Sequence, residues 1–216
     1  MKNIRIRVTG EGRVEVSAPP SVPASRITAF VRQHEAFITR RLQEVETRRS
    51  AHYPVRYADG DEFSCLGQRM RLHVQAAPRR SAVLSGSTLM LRVPEGAGAE
   101  EIKAQFIRWA KTEASRVFSQ RLAMLLPQFT GNGTMRLSVR AMTTRWGSIN
   151  LRRRTMSLSV HLLRCDIALI DYVITHELCH LACPHHTKAF YAALEARCPE
   201  RAQLDAALEA YGLVGF

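Results

Sequence analysis

Two histidines and a glutamate lie at spacings that suit metal-assisted hydrolysis. The run His176-Glu177-Leu178-Cys179-His180 follows the pattern His-Glu-x-x-His. On a helix, residues i and i+4 lie one turn apart on the same face, so both imidazoles can bind one metal ion. Glu177 is displaced by one position, where its carboxylate can take a proton from a water molecule on the metal. The motif predicts a Zn²⁺ site with Glu177 as general base.

A third metal ligand must come from outside this pair of histidines. Pro184 should end the helix that carries them, and a turn there can fold His186 back over the metal. Cys183 competes, because positions 176, 180 and 183 share one face of a continuous helix. His185, next to His186, is the other alternative. A thiolate ligand would reduce the Lewis acidity of zinc, so we favour His186.

The elements that must position these residues follow from the hydrophobic pattern. Asp166 should open a strongly apolar helix that continues through Cys183, and amphipathic helices are expected over 188–197 and 203–211. Strands are expected over 136–142 and 155–160. These elements belong to a predicted metal-binding catalytic region over 131–216.

The preceding part, residues 1–130, is predicted to consist of hairpins and helices. Alternating residues predict hairpins over three stretches, namely 4–17 with a turn at Gly10-Glu11-Gly12, 63–74, and 82–93. Helices are expected over about 27–48 and 99–126. The predicted class is therefore α+β, with a basic N-terminal region that can pack with the catalytic region as one domain.

Charge is distributed unevenly along the chain. The formal net charge is +12, yet residues 151–216 contain 7 basic and 7 acidic residues. The whole excess therefore lies in residues 1–150, which would attract a polyanion such as nucleic acid, a nucleotide or an acidic protein. A well-solvated surface without a specific partner is the alternative.

Cysteine content and hydropathy bear on the cellular compartment. Five cysteines without a Cys-x-x-Cys pair argue against a disulfide framework and against a cysteine-only zinc site. The first residues alternate apolar with charged side chains, which is unlike a secretory signal. The apolar stretches are too short to span a bilayer. We expect a cytoplasmic protein that does not enter the membrane.

Three motifs together resemble one known family. They are Arg145-Trp146-Gly147-Ser148, then His176-Glu177-Leu178-Cys179-His180-Leu181, and finally His185-His186-Thr187 with Phe190-Tyr191. These stretches resemble the YgjP-like metal-dependent hydrolases, zincin-fold proteins related to SprT-like metallopeptidases. The family pattern is R-W-G-S-C, H-E-L-C-H-L and N-H-S-x-x-F-W. The resemblance implies a zincin-like core and a metal, and it places the third ligand of the family on His186.

The sequence departs from the family pattern at two positions. Ile149 stands where the family has cysteine, so no function can depend on that thiol, and His185 replaces an asparagine. In the first motif, Gly147 would permit a tight turn and Trp146 would pack broadly. Arg145 would face an anionic group of the substrate. We therefore predict Arg145 and Trp146 as substrate-binding residues.

Three functions are compatible with these residues. The favoured one is a zinc metallopeptidase that cleaves peptides or proteins with a metal-activated water. The second is a zinc hydrolase of phosphorylated small molecules such as nucleoside triphosphates, whose phosphates Arg145 and other basic residues would hold. The third is a nucleic-acid-binding protein with a structural metal. A structural zinc usually has four protein ligands and needs no neighbouring glutamate, which places this function last.

Overall fold

The computed structural model describes residues 4–8, 13–51, 55–129, 133–213 and 216, and the side chains of 44–51 are not among the described parts. The chain divides into two compact units, Met1–Tyr53 and Pro54–Phe216. The predicted boundary near residue 130 stays a prediction. Over these described residues, helices alternate with three sheets, so the predicted α+β class is confirmed.

The first unit contains a hairpin and two helices. Strands β1 (Arg5–Val8) and β2 (Val14–Ser17) pair antiparallel, as predicted, while the proposed turn at 10–12 lies outside the described residues. The single helix predicted over 27–48 is wrong, because the chain forms α1 (Ala24–Gln33) and α2 (Glu35–Ala51). The break falls at His34, whose Nδ1 lies 2.8 Å from the carbonyl oxygen of Phe30.

The second unit begins with a four-stranded sheet. Its strands are β3 (Glu62–Cys65), β4 (Gln68–Ala76), β5 (Ser81–Ser85) and β6 (Thr88–Val93). The spatial order is β3-β4-β6-β5, and both predicted hairpins are present. The central pair β4 and β6 is parallel. Alternate residues of β4 and β6, including Leu72, Leu89 and Leu91, are fully buried against the core.

A second sheet and a long helix complete the support of the metal motif. The three strands are β7 (Arg136–Arg140), β8 (Gly147–Asn150) and β9 (Thr155–Ser159), in the order β7-β9-β8. Helix α3 (Ala99–Leu125) packs on both sheets of this unit. Phe106, Trp109 and Phe118 are its large buried side chains. One hydrophobic core therefore serves all of residues 55–216 that are described.

Three further helices follow, of which the first carries the metal motif. They are α4 (Ile167–Cys179), α5 (Lys188–Glu195) and α6 (Arg201–Tyr211). Asp166 opens α4 as predicted, since its Oδ1 accepts a hydrogen bond of 2.9 Å from the Leu169 N–H. None of the described helices is long and apolar enough to cross a membrane.

Helix α4 ends at Cys179, so the prediction that it continues through Cys183 is wrong. The N–H of Leu181 bonds to the carbonyl of Leu178 at 3.0 Å, and Ala182 bonds to Cys179 at 3.2 Å. These i to i+3 bonds tighten the backbone beyond Cys179, and the N–H of Cys183 also bonds to the carbonyl of Cys179 at 3.0 Å. Cys183 lies beyond the helix and, within the described residues, does not join the group of histidines.

Two contacts connect the start of α4 to its surroundings. The turn Leu66-Gly67 between β3 and β4 has positive φ at both residues, and a Cβ on Gly67 would lie 2.9 Å from Cβ of Asp166. Glycine thus allows the first sheet to approach the cap of α4. Arg121 of α3 forms a hydrogen-bonded ion pair with Asp171, with Nε to Oδ1 at 2.7 Å.

His161 should make the stability of the fold sensitive to acid. It lies in the 3₁₀ segment Val160–Arg164, is 8% exposed, and its Nδ1 has no hydrogen-bond partner among the described residues. Burial, aided by the nearby Arg164, lowers the pKa of His161 to about 4. In the unfolded chain the pKa of this histidine is about 6.5. Between pH 6.5 and pH 4 the unfolded chain therefore binds more protons than the native one. The free energy of unfolding accordingly falls as the pH falls through that window.

We expect the free energy of unfolding to drop by about 2 kcal/mol between pH 7 and pH 5 because of this histidine alone. His161→Leu keeps a similar volume and removes the titrating group, so the variant should lose that part of the pH dependence. Urea unfolding of both proteins at the two pH values measures the difference. Equal pH dependence in parent and variant would contradict the assignment to His161.

Candidate metal centre

His176 and His180 lie at the C-terminal end of α4. His180 is the first residue beyond the helix, yet its φ of −65° and ψ of −15° are still helical. The i, i+4 relation therefore survives, and the two ring centroids are 5.4 Å apart. Nδ1 of His180 lies 3.1 Å from the carbonyl oxygen of Cys183. A hydrogen bond donated there fixes the tautomer that leaves Nε2 with its lone pair.

The chain that follows the helix brings His186 to the same place. Its Nε2 lies 3.0 Å from Nε2 of His176. One possible ligand atom from each of His176, His180 and His186 lies within 4.8 Å of the others. Within the described part of the chain, neither Cys183 nor His185 joins this group. The structure thus brings together the three histidines that the sequence favoured.

One phenylalanine packs against all three imidazole rings. Phe190 of α5 is fully buried and stacks on His180 with centroids 4.6 Å apart and an interplanar angle of 27°. Its centroid lies 5.0 Å from that of His176 and 4.7 Å from that of His186. Both contacts are edge-on. Packing on one ring restricts the rotamers of all three imidazoles, which keeps their nitrogens directed toward a common point.

The three nitrogens suit a metal ion in a tetrahedral site. For metal–nitrogen bonds of about 2.0–2.1 Å, neighbouring ligand atoms lie about 3.3 Å apart, close to the 3.0 Å between Nε2 of His176 and Nε2 of His186. Burial, together with His186 and His180, lowers the pKa of His176 to about 4. Burial also lowers the pKa of His180. Neutral imidazole is the form that binds a metal, so these rings could hold one without first losing protons.

Glu177 lies on the other side of the helix end, against the edge strand β8. It is 7% exposed, and burial raises the pKa of its carboxyl to about 7. The positive charge of Arg145 and a hydrogen bond from the backbone N–H of Ile149 oppose that rise. A Cβ added at Gly147 would lie 2.7 Å from Oε1 of Glu177. Only glycine leaves room for the carboxylate at this point of the strand.

An open cleft of about 680 Å³ lies over these groups. The segment 144–149, which contains the predicted substrate residues Arg145 and Trp146, lines one side. Tyr172 of α4 and Asp205 of α6 line it as well. The Tyr172 hydroxyl donates to Oδ1 of Asp205 at 2.5 Å, and Arg201 donates to Oδ2 at 3.1 Å. This chain of bonds fixes α6 beside the metal helix.

Sequence reasoning misjudged one residue and missed others. The tight turn expected at Gly147 is wrong, because Gly147 begins β8 and its small size serves the approach of Glu177. Strand β8 itself was not predicted, since four residues with one large apolar side chain carry almost no periodic signal. Phe190 lay within a motif but received no role. Asp205 gave no signal in the sequence.

Comparisons with known proteins identify a family for the chain. A family model described as "YgjP-like, metallopeptidase domain" matches residues 2–211. No curated protein sequence matches the chain. One similar solved structure is the metallopeptidase zymogen jannalysin of Methanocaldococcus jannaschii, with 19% identity and a TM-score of 0.37 over 42% of this chain and 94% of that chain. The abylysin zymogen of Pyrococcus abyssi has 18% identity and a TM-score of 0.36, over 44% and 90%.

Substitutions at the three candidate third ligands should separate them. His186→Ala removes a nitrogen that faces His176, so zinc binding should weaken by about tenfold or more. His185→Ala and Cys183→Ser are the matched controls, and both should keep a zinc content close to that of the parent. Elemental analysis after dialysis against a graded chelator series measures the change. Loss of zinc in the Cys183 variant but not in the His186 variant would show that the thiolate is the ligand.

Proposed function

Since the chain belongs to the YgjP-like metallopeptidase family, we propose that it is a zinc-dependent peptidase. In this proposal His176, His180 and His186 hold the metal, and Glu177 is the general base. The observation that supports it most directly is the convergence of three imidazoles beside a buried carboxylate at the base of an open cleft. The three histidines would bind the metal, and Glu177 would act on the water molecule.

A zinc ion held by the three imidazoles would supply Lewis acidity, lowering the pKa of a water molecule to about 7. Glu177 supplies the proton acceptor. Its burial raises the pKa of the carboxyl to about 7, which suits a group that takes a proton and then gives it to the leaving amine. The N–H of Ile149 and the approach at Gly147 hold the carboxylate in one position.

Strand β8 suits an extended peptide. Among the described strands it pairs only with β9, so no described strand covers its other edge, where the Ile149 N–H already donates to Glu177. A peptide can add to such an edge through main-chain hydrogen bonds that do not depend on its sequence. Arg145 can then donate to a carboxylate or carbonyl oxygen of the substrate, and Trp146 can pack against an apolar side chain.

The charges of the cleft favour a peptide over a phosphorylated small molecule. Among the described lining residues, Arg145 is the one arginine or lysine, whereas Glu177 and Asp205 are both acidic. A triphosphate would need several cations around its phosphates. The remaining candidate, a structural metal in a nucleic-acid-binding protein, gives no reason for a buried glutamate beside the histidines.

Glu177→Gln should separate metal binding from chemistry. Glutamine keeps the size of the side chain but is no proton acceptor, so the variant should contain about one zinc per chain while its turnover falls about 10²-fold or more. Zinc content and casein cleavage are measured on one sample, with nucleoside triphosphate hydrolysis as a parallel assay. Joint loss of zinc and activity would make Glu177 a ligand, and triphosphate hydrolysis without casein cleavage would overturn the peptidase proposal.

Gly147→Ala should slow the proton transfer to Glu177 without removing the metal. The added methyl group would force the Glu177 carboxylate to move, and a displacement of the general base by a fraction of an ångström lowers turnover by about tenfold or more. Zinc content should be unchanged, because no histidine is touched. Gly98→Ala, where the methyl group meets open space, is the matched control. Full activity in the Gly147 variant would contradict the positioning role.

A further inference from the structure

A long stretch of the chain has no acidic residue. Between Glu113 and Asp166, 52 residues contain nine arginines and neither aspartate nor glutamate. The stretch includes the whole of the sheet β7-β9-β8.

Of the nine arginines, five lie away from the surface of this sheet, and four of those five have hydrogen-bond or ion-pair partners. Arg116 pairs with Glu113, and Arg121 pairs with Asp171. Arg164 is buried and donates to the carbonyl of Gly212, while Arg154 donates to that of Gly133. Arg145 lies in the cleft. Four exposed arginines remain, namely Arg136, Arg140, Arg152 and Arg153, and none has an ion pair with a carboxylate among the described residues.

The register of the sheet places polar residues on one face. Arg136 pairs with Thr155, Ser138 with Ser157, and Arg140 with Ser159, so these residues share a side. On β8, Ser148 pairs with Ser157, and Asn150 with Thr155. The opposite side carries residues of the core, namely Leu137, Val139, Ile149, Met156 and Leu158. The polar side therefore faces away from the core.

We call this surface the basic face. It consists of Arg136, Ser138, Arg140, Ser148, Asn150, Thr155 and Ser157, with Arg152 and Arg153 in the turn that joins β8 to β9. Ser159 is not part of this face, because it is buried and its hydroxyl donates to the carbonyl of Met142 at 3.2 Å. Arg140 donates to the hydroxyl of Ser138 at 3.0 Å, so one hydroxyl already orients one guanidinium.

We infer that the basic face binds the phosphodiester backbone of nucleic acid without reading its sequence. Arginine, serine, threonine and asparagine are the side chains that contact phosphate in protein–DNA complexes. The face holds nine such residues and no acidic one. It has no aromatic side chain on which a base could stack, so recognition falls on the backbone, and a duplex suits it better than a single strand.

An acidic protein is the competing partner for such a surface. Carboxylates on a protein surface are irregularly spaced, and a few arginines would suffice to bind them. Such a partner would not need the small hydroxyl side chains that lie between the arginines. The arginines of β7 are about 13 Å apart along the strand, and hydroxyls occupy the positions between them. An evenly spaced row of phosphates makes use of all of these groups, which favours nucleic acid.

The test measures binding of a fluorescent 20-base-pair duplex of mixed sequence to the full chain at several salt concentrations. Four arginine–phosphate contacts predict a slope of log affinity against log salt of about −3 to −4. Arg136→Ala with Arg140→Ala should weaken binding by about tenfold or more at 50 mM salt and reduce the slope by about two. Arg136→Lys with Arg140→Lys should retain most of the slope, because charge is kept.

The matched control is Arg69→Ala with Arg80→Ala. It removes the same net charge from exposed arginines that pair with Glu62 and Glu101. The inference is overturned if the parent does not bind duplex at 50 mM salt, if both double variants weaken binding equally, or if neither does. Binding of polyglutamate in place of DNA would assign the face to an acidic protein. Glu177→Gln should bind duplex as the parent does, so this test stands apart from the peptidase proposal.

Discussion

The surrounding structure depends on three imidazoles whose ligand nitrogens lie within 4.8 Å of one another, with those of His176 and His186 3.0 Å apart. Neutral rings this close repel through their lone pairs or compete for one proton unless a cation lies between them. The chain meets the requirement with two rings from the end of α4 and one from the segment beyond it. For His186 to return, the helix must stop at Cys179, and it does so through a tightened turn whose last carbonyl also orients His180. Phe190 then fixes all three rings from below.

The position of α4 depends on contacts far from the histidines. Its first turn is capped by Asp166, against which Gly67 of the β3–β4 turn packs. Its middle is paired to α3 through Asp171 and to α6 through Tyr172. Because the helix is held at several points along its length, small shifts of its C-terminal end are resisted, which a metal site with fixed bond lengths requires.

The sheet β7-β9-β8 has one apolar face and one polar face. Its apolar face contributes to the core, and at the edge strand Gly147 gives the Glu177 carboxylate its place. Its polar face has arginines and hydroxyls and no acid. Alternation of side chains along each strand puts most of these groups on opposite sides of one layer of backbone, while Ser148 of the polar face also lines the cleft. Arg145, which lies in the cleft and not on the polar face, is the cation that opposes the rise in the pKa of Glu177.

The sequence by itself determined the features that depend on local order. Residue spacing in His176-Glu177-Leu178-Cys179-His180 predicts two imidazoles on one helix face, and apolar alternation predicts the hairpins, because both periodicities are properties of the backbone. Family resemblance pointed to His186. Tertiary structure alone decided where α4 ends, that the helix over 27–48 breaks at His34, and that Gly147 lies against Glu177. It also decided that Asp205 and Phe190 lie beside the histidines. These outcomes depend on contacts between residues distant in sequence, whose energies no local pattern contains.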